Sequence, residues 1–106
     1  MATTYKEQVA QGTASTGTYS TLYSTGAGVT AVCQLMISNE SSSAVTVRVG
    51  LADSAGTPSR FRLYDVVVAG NDTLSFGPIN MAASRFLRVS SSANTCTFWG
   101  DVAEIS

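Results

Sequence analysis

The sequence predicts an all-β fold: an antiparallel β-sandwich of about eight strands, jelly-roll-like, with an immunoglobulin-like arrangement as the alternative. Three observations carry this. Apolar and polar residues alternate with a period of two, most cleanly in Val45-Thr46-Val47-Arg48-Val49-Gly50-Leu51, the pattern of a strand with one buried face. Strand signals recur along the chain with turn clusters of Gly, Asn, Asp and Ser between them, as in sandwiches and barrels. Helical periodicity is absent, and Val and Thr, which favour pleated backbone, are abundant. The 106 residues suit a single domain spanning 1–106, with residues 1–11 an edge strand or an N-terminal arm.

The elements follow in order. Tyr5 to Gln11 reads as a first, polar strand or an arm that orders on a partner by strand addition. A small-residue loop, Gly12 to Gly17, leads to Thr18–Ser24, which carries Tyr19, Leu22 and Tyr23, and then to a turn at Thr25-Gly26-Ala27-Gly28. Val29 to Ser38 is the strongest central strand. Val29, Ala31, Cys33, Leu35 and Ile37 share its core face, and Thr30, Val32, Gln34, Met36 and Ser38 share the other. Asn39-Glu40-Ser41-Ser42-Ser43 is a turn, because Asn and Ser side chains bond back to nearby backbone. Val45 to Leu51 follows, then a loop from Ala52 to Ser59.

Phe61 to Val68 begins with Phe61 and Leu63 inward and then changes phase. A bulge near Asp65, or burial on both faces, reconciles the two registers. Gly70-Asn71-Asp72 turns into Thr73–Phe76, which Gly77-Pro78 is expected to end. Met81 to Ser84 is a short loop or one helical turn. Arg85 to Ser90 and Thr95 to Ile105 are the last strands. In the final one Cys96, Phe98, Gly100 and Val102 share one parity, so an inward Phe98 sends Trp99 outward.

The side-chain inventory is poor in chemistry. There is no His, and Lys6 is the one lysine; Ser and Thr fill about a quarter of the positions. A Ser-His-Asp triad is therefore impossible, and a Ser-Lys pair has Lys6 alone to draw on. Asp65, Asp72, Asp101 and Glu104 read as structural or solvated acids. Gly26-Ala27-Gly28 lacks the Lys and the helix of a phosphate loop. The expectation is no enzyme, no catalytic residue, no cofactor and no metal. Cys33 and Cys96 match no zinc spacing and read as buried free thiols, with a cross-sheet disulfide the lesser alternative. The triplets Asn39-Glu40-Ser41 and Asn71-Asp72-Thr73 read as chance glycosylation matches.

A formal net charge of −1 argues against nucleic-acid binding, which needs clustered cations. No apolar run approaches membrane-spanning length, so no membrane partner is expected, and with no leader visible a cytosolic origin is. Surfaces are the more informative feature. Val32, Met36 and Trp99 lie on outward parities and are candidates for a subunit interface. Arg60 and Arg62 are two residues apart on one strand and read as a solvated face or as a docking patch for an acidic neighbour. Tyr19, Tyr23, Tyr64 and Trp99 are candidate sugar-stacking aromatics for an alternative role as a carbohydrate- or receptor-binding module.

Several strings, taken in order, resemble small structural proteins of tailed-phage virions. They are Leu22-Tyr23-Ser24-Thr25-Gly26-Ala27-Gly28-Val29-Thr30-Ala31-Val32, Ile37-Ser38-Asn39-Glu40-Ser41-Ser42, Val45-Thr46-Val47-Arg48-Val49, Leu63-Tyr64-Asp65-Val66-Val67-Val68-Ala69-Gly70-Asn71-Asp72-Thr73-Leu74, Phe86-Leu87-Arg88-Val89-Ser90-Ser91 and Thr97-Phe98-Trp99-Gly100-Asp101-Val102-Ala103-Glu104-Ile105. The last string departs from the family's closing pattern, its acid lying further from Gly100. The resemblance implies a β-sandwich head decoration (cement) protein that binds and stabilises the assembled capsid, with a tail, neck, baseplate or fibre component as the alternative. It further implies a homo-oligomer, a trimer favoured, partnered with the major capsid protein or another virion protein. The expected location is the virion, assembled in the host cytoplasm.

Overall fold

A computed structural model describes residues 2–106. Eight strands are present: β1 (Thr3–Gln11), β2 (Ser20–Ser24), β3 (Thr30–Asn39), β4 (Val45–Ala52), β5 (Arg60–Val68), β6 (Thr73–Met81), β7 (Phe86–Ser91) and β8 (Cys96–Ile105). They form two antiparallel four-stranded sheets, ordered β1-β8-β3-β6 and β2-β7-β4-β5. This is the jelly-roll order. The immunoglobulin-like alternative is set aside, because there β1 pairs with β2, whereas here β1 and β3 flank β8.

The core lies between the sheets and is built from the inward parities. Ala31, Cys33, Leu35 and Ile37 of β3 and Phe98 and Val102 of β8 meet Val45, Val47, Val49 and Leu51 of β4 and Leu87 and Val89 of β7. Gly100 occupies an inward position of β8, where a Cβ would come 3.2 Å from Cys33 Sγ and 3.3 Å from Leu22 Cδ2. A side chain there would crowd a close-packed interior. Cys33 and Cys96 are both buried and free. They lie in the same sheet: Cys33 is opposite Val102, and Cys96 is opposite Asn39, well along the ladder. A disulfide, which needs Cα atoms within about 7 Å, is out of reach. Burial pushes the Cys33 thiol up to about 11.

Two strands depart from simple alternation. In β5 the pairings Val47↔Val66 and Val49↔Leu63 leave Tyr64 and Asp65 facing Arg48 alone, and Asp65 has φ 54°. This bulge lets Leu63, Val66 and Val68 all turn inward. A second shift, between Val49 and Gly50, sets Phe61 opposite Gly50. Phe61 therefore joins Tyr19 and Tyr64 and not the core, contrary to the sequence expectation. In β6, Gly77-Pro78 does not end the strand, which runs on to Met81. The two residues sit as a bulge opposite Gln34, between Leu35↔Phe76 and Cys33↔Ile79. Proline is tolerated because β6 is an edge strand and needs no donor on its free side. The extra residue keeps Phe76 and Ile79 on the inward side.

The first segment is a strand and not a loose arm: Thr3–Gln11 pairs with β8 in continuous register from Thr3↔Ile105 to Gln11↔Thr97. Met1, part of the predicted arm, lies outside the described residues. Val29 falls before β3, behind a turn in which Gly28 has φ 75°. Met81 closes β6, and Ala82 to Arg85 form the turn into β7.

One end of the sandwich is fastened by Asn39, which is 2% exposed. Its Nδ2 donates to the carbonyls of Ser43 (2.9 Å), Val68 (3.2 Å) and Ala69 (3.2 Å), and its Oδ1 accepts from Ser41 N (3.1 Å). The β3–β4 and β5–β6 turns are thereby tied to one amide. Asn39 cannot serve as a glycan acceptor in the folded chain. Asn39→Ala strands these backbone groups away from water and is expected to cost about 2–3 kcal/mol in urea unfolding. Ser42→Ala, on the exposed tip of the same turn, should stay within about 0.5 kcal/mol of wild type.

Candidate functional site

The outer face of the β1-β8-β3-β6 sheet is apolar where a half-solvated antiparallel sheet is ordinarily polar. Register explains how this arises. Trp99 of β8 is opposite Val9 of β1 on one side and Met36 of β3 on the other. Two rows along, Ala103 is opposite both Tyr5 and Val32. Tyr5 is 80% exposed, Met36 48% and Trp99 40%, with Val9 and Val32 also exposed. Between these rows runs a polar one, in which Asp101 is opposite both Glu7 and Gln34. Small Ala103, flanked by larger neighbours, floors a trough of about 540 Å³ bordered by Tyr5, Val32, Gln34 and Pro78.

Of the five interface candidates read from sequence, Val32, Met36 and Trp99 come together on this face. Arg60 and Arg62 do not join them. They lie exposed on β5, an edge strand of the other sheet, and the register shift between them breaks the alternation that would have put both on one side. Tyr5 and Val9 of the face were missed. Their shared parity was visible in Tyr5-Lys6-Glu7-Gln8-Val9, but the polar residues around them read as an arm.

The outer face of the other sheet carries a second cluster. Phe61 and Tyr64 meet edge-to-face with centroids 4.8 Å apart, and Tyr19 lies 6.2 Å from Phe61. The Arg48 guanidinium sits 4.1 Å from the Tyr64 centroid and grips Asp65 with two bonds, 2.7 and 3.1 Å long. The Arg48 bond holds the Asp65 carboxyl below the usual range. Tyr23, a predicted surface aromatic, is instead buried: the bulge at Leu22 turns both residues into the sandwich.

At the mouth of the sandwich Tyr23 donates its hydroxyl to Glu104, and Lys6 Nζ is 3.2 Å from the same carboxylate. Glu104 is thus a partnered, half-buried group and not the solvated acid expected from sequence. Asp72 accepts from Thr73 N at 2.8 Å in its turn. Among the described residues no three His, Cys, Asp or Glu side chains are grouped to hold a metal ion. No protein family, curated protein or solved structure matches this chain.

The Tyr23 hydroxyl, reinforced by Lys6, lowers the Glu104 carboxyl below its ordinary value. A depressed native pKa stabilises the fold fully above the unfolded glutamate value of about 4.3, and that stabilisation fades as pH falls below it. Glu104→Gln is therefore expected to lower the urea midpoint at pH 7, with the gap from wild type narrowing as the pH is brought down to 3. A gap that does not change with pH would exclude the assignment.

Proposed function

We propose that this chain is a structural subunit of a tailed-phage virion, a head decoration protein that associates with itself and with the capsid surface. One observation carries the reading: five large apolar side chains, Tyr5, Val9, Val32, Met36 and Trp99, stand exposed on the face of a single sheet. Two exposed apolar rows of this kind, either side of a single polar one, mark a docking site. The ordered strings that resemble small virion proteins and the jelly-roll architecture, frequent in viral shells, support the same reading.

The mode of action is passive. A subunit that binds the assembled shell and not its dissociated parts stabilises the shell by mass action, by about 2.7 kcal/mol per site at a hundredfold excess over Kd. Covering the apolar face removes area from water at about 25 cal/mol per Å². That gain must exceed the 4–15 kcal/mol lost in freedom of motion on association, so scattered contacts would not suffice and both apolar rows must be covered together. No turnover is required of any residue.

Met36→Glu places a charge at the centre of the face without touching the core. The expected result is a fall in light-scattering mass to the 11.0 kDa of one chain and loss of co-sedimentation with capsids. Antibody labelling of intact virions should decorate the head. Labelling confined to the tail, or a variant that assembles and sediments like wild type, would overturn the reading.

A second reading has its own observation, the Tyr19–Phe61–Tyr64 cluster beside the Arg48–Asp65 pair. Aromatic faces flanked by hydrogen-bonding charges are the apparatus of sugar binding. On a glycan array this reading expects a signal that Tyr64→Ala removes, and silence of the wild-type chain across the array would dispose of it.

A further inference from the structure

We infer that the outer face of the β1-β8-β3-β6 sheet receives the β5 margin of a second copy of this chain, in a head-to-tail contact that closes a ring. This rests on the docking reading above and names the occupant of that face.

The argument begins with the charges. Lys6 is paired with Glu104, Arg48 with Asp65 and Arg85 with Asp53. Arg88 is held by Gly56 O, Thr21 Oγ1 and Tyr19 O. Glu40 accepts from Thr97, and Asp72 from Thr73 N. Among the described residues this leaves the side chains of two acids and two cations with no hydrogen-bond or ion-pair partner. The acids are Glu7 and Asp101, directly opposite each other on the apolar face. The cations are Arg60 and Arg62, both on β5. Like charges facing across a ladder are unfavourable, so the acidic pair is a standing cost in the isolated chain that an incoming cation would relieve.

Symmetry then narrows the occupant. If two copies met face to face about a two-fold axis through the centre of the face, each acidic pair would confront its own image, and juxtaposed like charges oppose association. The β5 margin has the opposite character. Beside Arg60 and Arg62, which the register shift between them keeps from sharing one side of the strand, it exposes Tyr64 and Val67, so it offers apolar surface flanked by guanidinium forks suited to carboxylates. A different surface meeting the face is a heterologous contact, which gives a ring of finite mass when the rotation between copies closes and an open filament when it does not.

Charge exchange tests this. The double variants Arg60→Glu/Arg62→Glu and Glu7→Arg/Asp101→Arg are each expected to drop the scattering mass from that of the ring to 11.0 kDa. The fourfold variant carrying both reversals is expected to restore the ring. Circular dichroism and urea unfolding confirm that each variant is folded, and a fourfold variant that regains the ring shows by itself that the substitutions are tolerated. A folded fourfold variant that stays monomeric overturns the inference, as does an arginine-reversed chain that keeps the wild-type mass, or a wild-type chain that is monomeric at high micromolar concentration. If arginine reversal leaves the mass unchanged while Met36→Glu dissociates the oligomer, the inference fails and the docking reading stands. If neither change alters mass or capsid binding, both fall.

Discussion

The pairing of β3 with β8 is the constraint on which the rest of this molecule depends. It runs unbroken from Thr30↔Ile105 to Asn39↔Cys96, and both strands lie inside their sheet with a neighbour on each side. Because side chains alternate, one register sets two surfaces at once. It sends Leu35, Ile37 and Phe98 into the core and Met36 and Trp99 outward. A slip of one residue would expose the core and bury the apolar outer face. The hydrophobic cost of losing Phe98, Leu35 and Ile37 to water, about 1.5–3 kcal/mol each, therefore also fixes the position of that outer face.

Around this ladder, polar side chains do the fastening that helices or disulfides do elsewhere. Asn39 joins two turns at one end. Thr13 and Ser91 exchange bonds with each other's backbone near the start of the chain, and Thr25 Oγ1 holds Ala82 O and Arg85 N. Each of these groups is buried and satisfied, and no buried side-chain polar atom among the described residues lacks a partner. The abundance of Ser and Thr thus has a structural use: short hydroxyls reach local or neighbouring backbone where a longer side chain would not fit.

Much of this was legible from local sequence. The faces of β3, β4 and β8 follow from alternation, since each has one largely apolar parity. The bulge at Asp65 was visible as a phase change between Leu63 and Val66. What escaped was set by partners distant in the chain. Phe61 leaves the core because a second shift places it opposite Gly50, and nothing in Arg60-Phe61-Arg62-Leu63 signals it. Gly77-Pro78 reads as a stop, yet an edge position lets the strand continue. Tyr5 and Val9 belong to the apolar face through their pairing with β8, whose residues lie almost a whole chain length away. The same holds for Glu7 and Asp101, unremarkable in sequence and adjacent in space.

The margins of the two sheets differ in a way that bears on polymer growth. β6 is interrupted by Gly77-Pro78, β5 by two shifts, and β2 is five residues long with a shift of its own. β1 alone presents a straight, uninterrupted border. A fibril needs two open borders per subunit, one to receive and one to be received, whereas a single open border ends any strand-to-strand joining at a pair. The chain is thereby shielded from runaway amyloid-like stacking by its irregularities, and the imperfect strands act as terminators.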